Sequence, residues 1–259
     1  MRYEVGPLAL SAGLRNETTG THTTRTLMLE DLRTLFQAVK PEAPYADYVR
    51  AVVDENVLRK ATVTTRRKSL RHLRELYALD PNVPVFRVVR ELWSATNGQP
   101  LLALLCGSGR DPLLRCTADV VVKSPMDMAF EVRLLTDAVS GTFPGRFTLN
   151  VLRRIGRNVA SSWTQAGLLR GRSKKVRSKP VVTQAAASFA LFLGHLDGAS
   201  GPALFETVWA RMVDPSPSAL QGLAALSSRQ GWIEYRAYGG VTEVTFRHFD
   251  AIVRAARVA

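Results

Sequence analysis

Residues 227–246 read SSRQGWIEYRAYGGVTEVTF, and they hold the clearest change of rhythm in the chain. Trp232, Glu234, Arg236 and Tyr238 alternate with Ile233, Tyr235 and Ala237. That period of two places successive side chains on opposite faces of a strand. Gly239 and Gly240 supply the positive φ of a tight turn, after which VTEVTF returns as a second strand. Upstream, PSALQGLAALSSRQ (217–230) has helical periodicity behind the start signal Ser216-Pro217. Helix, glycine stop and hairpin is the order of a winged-helix unit.

An echo of this order lies earlier. SSWTQAGLLRGR (161–172) again places Ser-Ser on a helix, then Gln, Gly and an apolar pair. RFTLNVLRRIGRNVASSWTQA (146–166) predicts a long amphipathic helix ended by Gly167, and GLLRGRSKKVRSKPVVT (167–183) predicts two short strands around a basic turn. Two units of the same kind are therefore expected in the C-terminal half.

The N-terminal half is helical. TLMLEDLRTLFQAV (26–39), YADYVRAVVDENVL (45–58), TTRRKSLRHLRELYAL (64–79) and VPVFRVVRELWSAT (83–96) carry apolar residues at helical spacing. Thr62 or Thr64 caps the third, and NGQP (97–100) stops the fourth. PLLALLC (100–106) and DPLLRCTADVVVK (111–123) are expected as helices flanking a turn, GSGR (107–110), followed by a helix in SPMDMAFEVRLLTDAVSG (124–141). The break GTFPG (141–145) predicts a domain boundary. This gives an N-terminal helical domain at 1–140 and a winged-helix-like domain at 141–259. The expected fold is mainly α: an N-terminal helical bundle, then a helical region with winged-helix-type β-hairpins.

Hydrophobic residues make up 46% of the chain, enough to bury a core. The longest apolar runs, such as LLALLC and FALFL, are far short of the roughly 20 residues that cross a bilayer. With no signal-like N-terminus, the expected location is the cytoplasm, with no membrane partner. Cys106 and Cys116 sit in apolar surroundings and read as reduced core cysteines.

The net charge of +13 is concentrated. Residues 145–180 hold ten basic side chains and no acidic one, residues 61–80 hold five against two, and elsewhere the signs balance. Charge gathered this way points to a polyanionic partner. On a helical wheel Arg146, Asn150, Arg153, Arg154, Arg157, Ser161 and Thr164 fall within a sector of about 100°. Val151, Ile155 and Val159 lie opposite, so one face packs and the other offers arginines and amides to phosphates and base edges. The run RGRSKKVRSKP (170–180) follows as a phosphate clamp, contributing Arg170, Arg172, Lys174, Lys175, Arg177 and Lys179. In the other block, Arg67, Lys68, Arg71 and Arg74 project from a helix whose Leu70, Leu73 and Tyr77 share another face. With YADYVRAVVDEN before it, the pair resembles a helix-turn-helix with a basic second helix and a long turn, 57–63. These residues are the candidate DNA contacts.

Catalytic signatures are not found. There is no P-loop, no G-x-S-x-G elbow and no His or Cys spacing for a metal. Asp127, Glu131 and Arg133 in DMAFEVR have Arg where nuclease chemistry favours Lys, within a helical pattern. No catalytic residue, metal site or cofactor is expected.

In ENVLRKATVTTRRKSLRHLRELYALDP (55–81), SSWTQAGLLRG with RSKP, GPALFETVWARMVD (201–214) and GWIEYRAYGGVTEVTF, the chain resembles the BrxA family of bacterial BREX phage-defence systems. The resemblance implies a small, mostly helical, non-enzymatic protein with a NusB-like N-terminal part. It also implies double-stranded DNA binding beside BREX partners that include a methyltransferase, an ATPase and a phosphatase-like protein. Two alternatives stand beside that expectation: an RNA-binding, antitermination-like protein, and a scaffold whose basic faces dock acidic partner proteins. DNA sequence preference, oligomeric state and the BREX partner touched are not encoded in any motif.

Overall fold

Apolar periodicity becomes α-helix over most of the chain. The computed structural model describes residues 4–96, 100–213 and 216–255. Among these, the first half contains α1 (Pro7–Ser11), a 3-10 turn (Thr21–Thr23), α2 (Leu29–Ala38), α3 (Tyr45–Val49), a π-turn (Arg50–Asp54) and α4 (Val63–Tyr77). Then come α5 (Pro84–Thr96), α6 (Pro100–Arg110), α7 (Pro112–Arg115), α8 (Ala118–Lys123), β1 (Ala129–Phe130) and α9 (Val132–Thr142). The second half runs α10 (Leu149–Gln165), β2 (Leu169–Arg170), β3 (Lys175–Arg177), α11 (Gln184–Leu196), a 3-10 segment (Gly201–Glu206) and α12 (Val208–Val213). It closes with α13 (Pro217–Arg229), β4 (Glu234–Tyr238), β5 (Val241–Thr245) and α14 (Arg247–Ala255). No helix among the described residues is long and apolar enough to cross a membrane.

The hairpin forms where the alternation predicted it. β4 and β5 pair antiparallel with Tyr238 opposite Val241, and Gly239 and Gly240 adopt φ of 56° and 82°. Gly167 and Gly231 both take positive φ and end α10 and α13, so each helix passes through a glycine into a hairpin. The first hairpin gains a third strand, in the order β1-β3-β2.

Three expectations change. The run GSGR is not a turn: α6 continues through it, with Gly107 and Gly109 packed tightly against the Leu27 and Leu14 side chains, where a Cβ would sit only 3.0 and 3.1 Å from them. The helix expected over 45–58 leaves α geometry at Arg50 and ends at Asp54. Residues 129–130 are strand, since they complete the ladder beside β3. The break at 141–145 is a connection between two packed helices, α9 and α10, with Gly156 set against Thr136. β1 pairs with β3 across it, and the buried apolar residues on both sides form one continuous cluster. The helix stop expected at 97–99 lies outside the described residues.

α11 is the centre of that core. Eleven of its thirteen residues are buried, among them Ala185, Ala186, Ala187 and Ala190, whose small side chains let α5, α6, α12 and α13 close around it.

Part of the positive charge is structural. Arg90, Arg110, Arg115 and Arg177 are all buried, and each donates to backbone carbonyls at helix ends. Arg90 reaches Phe36 and Val39 at the end of α2 (3.3 and 2.6 Å). Arg110 reaches Arg74 and Glu75 at the end of α4 (3.4 and 3.1 Å), and Gly13. Arg115 takes Ser108 and Gly109 at the end of α6 (3.1 and 3.0 Å). Arg177 bonds Val121 near the end of α8, Leu168 just beyond α10, and Ser178. The last carbonyls of a helix lack intrahelical partners and carry partial negative charge. A planar guanidinium with five donors satisfies several at once. Burial lowers the Arg90 and Arg177 pKa and brings Arg110 down to about 10.

Candidate nucleic-acid interface

α10 separates its two faces cleanly. Leu152, Ile155, Val159 and Trp163 are buried, each side chain contributing about 1.5–3 kcal/mol. Asn150, Arg153, Arg154 and Arg157 are exposed on the other side, whereas Arg146, expected on the same helix, is exposed in the connection before it because α10 starts at Leu149. The first turn carries no acidic residue. Among the described residues no carboxylate pairs with Arg146, Arg153, Arg154 or Arg157, whereas Arg33 and Arg50 have partners in Glu30 and Asp47. Ser161 and Thr164, expected on the same open face, are half-buried.

Thr164 is covered because the basic hairpin folds back on it. Lys175 donates from Nζ to the Thr164 hydroxyl at 2.9 Å and to the Gly171 carbonyl at 2.7 Å. Gly171, at φ 94°, is needed there: a Cβ would overlap the Lys174 carbonyl oxygen. Desolvation in this setting lowers the Lys175 pKa. The six basic residues of the run thus divide by environment. Arg172 and Lys174 are exposed at the turn and have no carboxylate partner among the described residues, and Lys179 is exposed. Arg170 is paired with Asp127 at 3.3 Å, an acid that lies far outside the run in sequence. Arg177, expected as an exposed contact, is 1% exposed and committed to three carbonyls. Its guanidinium is turned inward onto those carbonyls, and it is removed from the candidate contacts.

α4 forms as a capped amphipathic helix. The Thr62 side chain accepts from the Thr65 N–H, and Leu70, Leu73, Leu76 and Tyr77 are buried. Arg67, Lys68, Arg71 and Arg74 are exposed. Arg71 lies 3.6 Å from Glu75, and Arg74 stacks 4.2 Å above the Tyr45 ring, so Arg67 and Lys68 are the less engaged pair. The turn before α4 is clamped by Asn56, whose side chain makes two hydrogen bonds to the Lys60 backbone (2.8 and 3.1 Å).

A threonine-rich strap between these two helices carries no sequence motif and was missed by periodicity. Thr21 donates to Glu75 of α4 at 2.7 Å. The next residue, His22, has its carbonyl held by Asn158 of α10 at 2.9 Å. Further along, Leu27 N–H donates to Ser162 and Leu29 N–H to Gln165, both on α10, while Tyr77 of α4 donates to the Leu27 carbonyl. The only signal available was composition: six threonines fall within residues 18–26.

Within the strap, His22 Nδ1 is 2.7 Å from Asp111 and Nε2 is 2.8 Å from Ser162 Oγ. This Ser-His-Asp set is a buried brace. Ser162 Oγ also accepts from Leu27 and donates to the Asn158 carbonyl, and all three residues are at most 1% exposed. Burial works to raise the Asp111 pKa, but the charge and hydrogen bonds of His22, with the Leu113 N–H, hold it below the usual carboxylate value. The His72 hydrogen bond, helped by Thr21 and Arg71, lowers Glu75 likewise. Both cysteines are free thiols, and burial pushes Cys106 up to about 12. Asp127 pairs with Arg170, while Glu131 and Arg133 are in the loop and first turn leading into α9. Among the described residues no group of three or more His, Cys, Asp or Glu is placed to hold a metal.

Comparison of the chain with protein-family models, with curated proteins and with solved structures found no match.

Proposed function

We propose that this protein binds duplex DNA without catalysing a reaction on it, chiefly through phosphate contacts. One observation carries the reading. Arg153, Arg154 and Arg157 on α10, Arg146 just before it, and Arg172 and Lys174 on the adjoining hairpin are exposed cations with no carboxylate partner among the described residues. Cations kept for structure in this protein look different, as Arg90 and Arg177 show by being buried and bonded. An α-helix is about 10–12 Å across with its side chains, which suits a major groove about 12 Å wide. Asn150 to Arg157 spans about 10 Å along the axis, room for phosphate contacts with Asn and Arg near base edges. In this reading α10 with β2–β3, and α13 with β4–β5, are winged-helix-type units. The resemblance to the BrxA family supports a role as accessory of a BREX defence system.

Fluorescence anisotropy with duplex DNA, single-stranded DNA and RNA across a salt series tests the reading. The expected result is preference for the duplex, with affinity falling as salt rises at a log–log slope of about −0.9 per phosphate neutralised. Arg153→Ala with Arg157→Ala should flatten that slope by about 1.8. Salt-independent binding overturns it, and tighter binding to RNA transfers it to the antitermination-like class.

A further inference from the structure

We propose that the two basic helices belong to a single binding surface, with the threonine strap as its floor and a backbone phosphate of the same duplex seated in the cavity beside it. The inference rests on the duplex-binding reading above and adds which distant residues share one ligand.

α4 and α10 lie far apart in sequence, and nothing in their composition joins them. The strap does. Thr21 and His22 are consecutive, yet one bonds Glu75 of α4 and the other is held by Asn158 of α10. The helical wheel then orders the remaining side chains, at about 100° per residue. On α4, Thr64, Lys68 and Arg71 lie within about 40° of Glu75, the residue that touches the strap. On α10, Arg154 lies about 40° from Asn158, and Asn150 and Arg157 follow within about 100° on the same flank. Both cationic stripes therefore border the strap, and both are exposed. The strap itself is buried through Thr21, His22 and Leu27 and open through Thr18, Thr19 and Thr24. Its outer surface offers hydroxyl donors between two rows of cations.

A cavity of about 280 Å³ opens there, lined by Arg15, Arg71, Thr19, Thr23 and Thr24 among others. Two carboxylates also border it. Glu75 already accepts from Thr21 and lies against His72 and Arg71, and Glu17 is 3.5 Å from Arg15. Arg110 at its base is spent on carbonyls. Arg15 and Arg71, both only loosely paired, and the exposed Thr19 and Thr24 hydroxyls are the groups left to meet a phosphate oxygen. Guanidinium and hydroxyl donors are the usual positioning contacts to a nucleic-acid backbone.

Two pairs of exposed substitutions separate this proposal from the one it rests on: Lys68→Ala with Arg71→Ala on α4, and Arg154→Ala with Arg157→Ala on α10. Each is titrated against one duplex over a salt series, after circular dichroism and thermal melting confirm folding. On one surface the stoichiometry is one duplex per protein, each pair flattens the log–log slope by about 1.8, and the combined variant by about 3.6. Thr24→Val, which keeps the side-chain shape, weakens duplex binding about tenfold at low salt. The inference is overturned if the α4 pair and Thr24→Val leave affinity and slope unchanged while the α10 pair abolishes binding; the α10 interface then stands alone. It is also overturned if two duplexes bind and each pair removes one. If neither pair alters binding, the phosphate-contact reading itself fails.

Discussion

Lys175 reaches across from β3 to the hydroxyl of Thr164 on α10, and this 2.9 Å contact ties the hairpin to the helix. The same ammonium bonds the Gly171 carbonyl, which closes the turn between β2 and β3. Arg172 and Lys174 are exposed on this turn.

Replacing Arg172 and Lys174 together with Ala should weaken binding to all duplex sequences alike and flatten the salt slope by up to about 1.8. Stability should change by no more than about 0.5 kcal/mol, because both side chains are exposed. Anisotropy titrations paired with urea unfolding check both halves. Wild-type affinity in the variant would return the turn to a solvated loop.

Arg177 should behave in the opposite way. Arg177→Ala leaves the carbonyls of Val121, Leu168 and Ser178 without their shared donor. It should cost at least about 3 kcal/mol in urea unfolding. Arg177→Lys should recover little, since an ammonium cannot reproduce the planar fork. A loss below about 1 kcal/mol would contradict the helix-end role.

The His22–Asp111 brace makes an acid-sensitive prediction. The folded-state pKa of Asp111 lies below its unfolded value, so the pair stabilises the fold above that value. That stability is lost as pH falls through the carboxylate range, below about 4. Melting temperature should therefore fall as pH is taken below about 4. Asp111→Asn should melt lower at pH 7 and show a shallower acid dependence, with Glu75 supplying part of what remains. Parallel acid slopes for variant and wild type would remove Asp111 as the cause.

Cys106 is 0% exposed and its thiol is pushed up to about 12, so almost no thiolate exists at pH 8. Alkylation of Cys106 in the native protein, followed by peptide mass spectrometry, should proceed only as fast as the chain opens. Added urea should accelerate it sharply. Rapid native labelling would mean that α6 is not packed as described.

The architecture was readable wherever local chemistry and burial agree. The alternation in WIEYRAY, the Gly239-Gly240 turn and a threonine cap at Thr62 or Thr64 are each specified within a few residues; the hairpin and turn appear as the residues dictate, and the packing of α4 chooses Thr62. The face of α10 was readable for the same reason, since its apolar stripe is a property of the helix alone. Composition failed where a distant partner decides. Gly107 and Gly109 look like a turn until Leu27 and Leu14 pack against the helix that runs through them. Arg177 looks like any other cation of its run until three carbonyls from separate segments converge on it. A charged residue carries no local signal of whether water or a helix end will solvate it. The strap shows the same limit: six threonines have no periodicity, and only the packing of α4 and α10 on either side makes them the link between two basic helices.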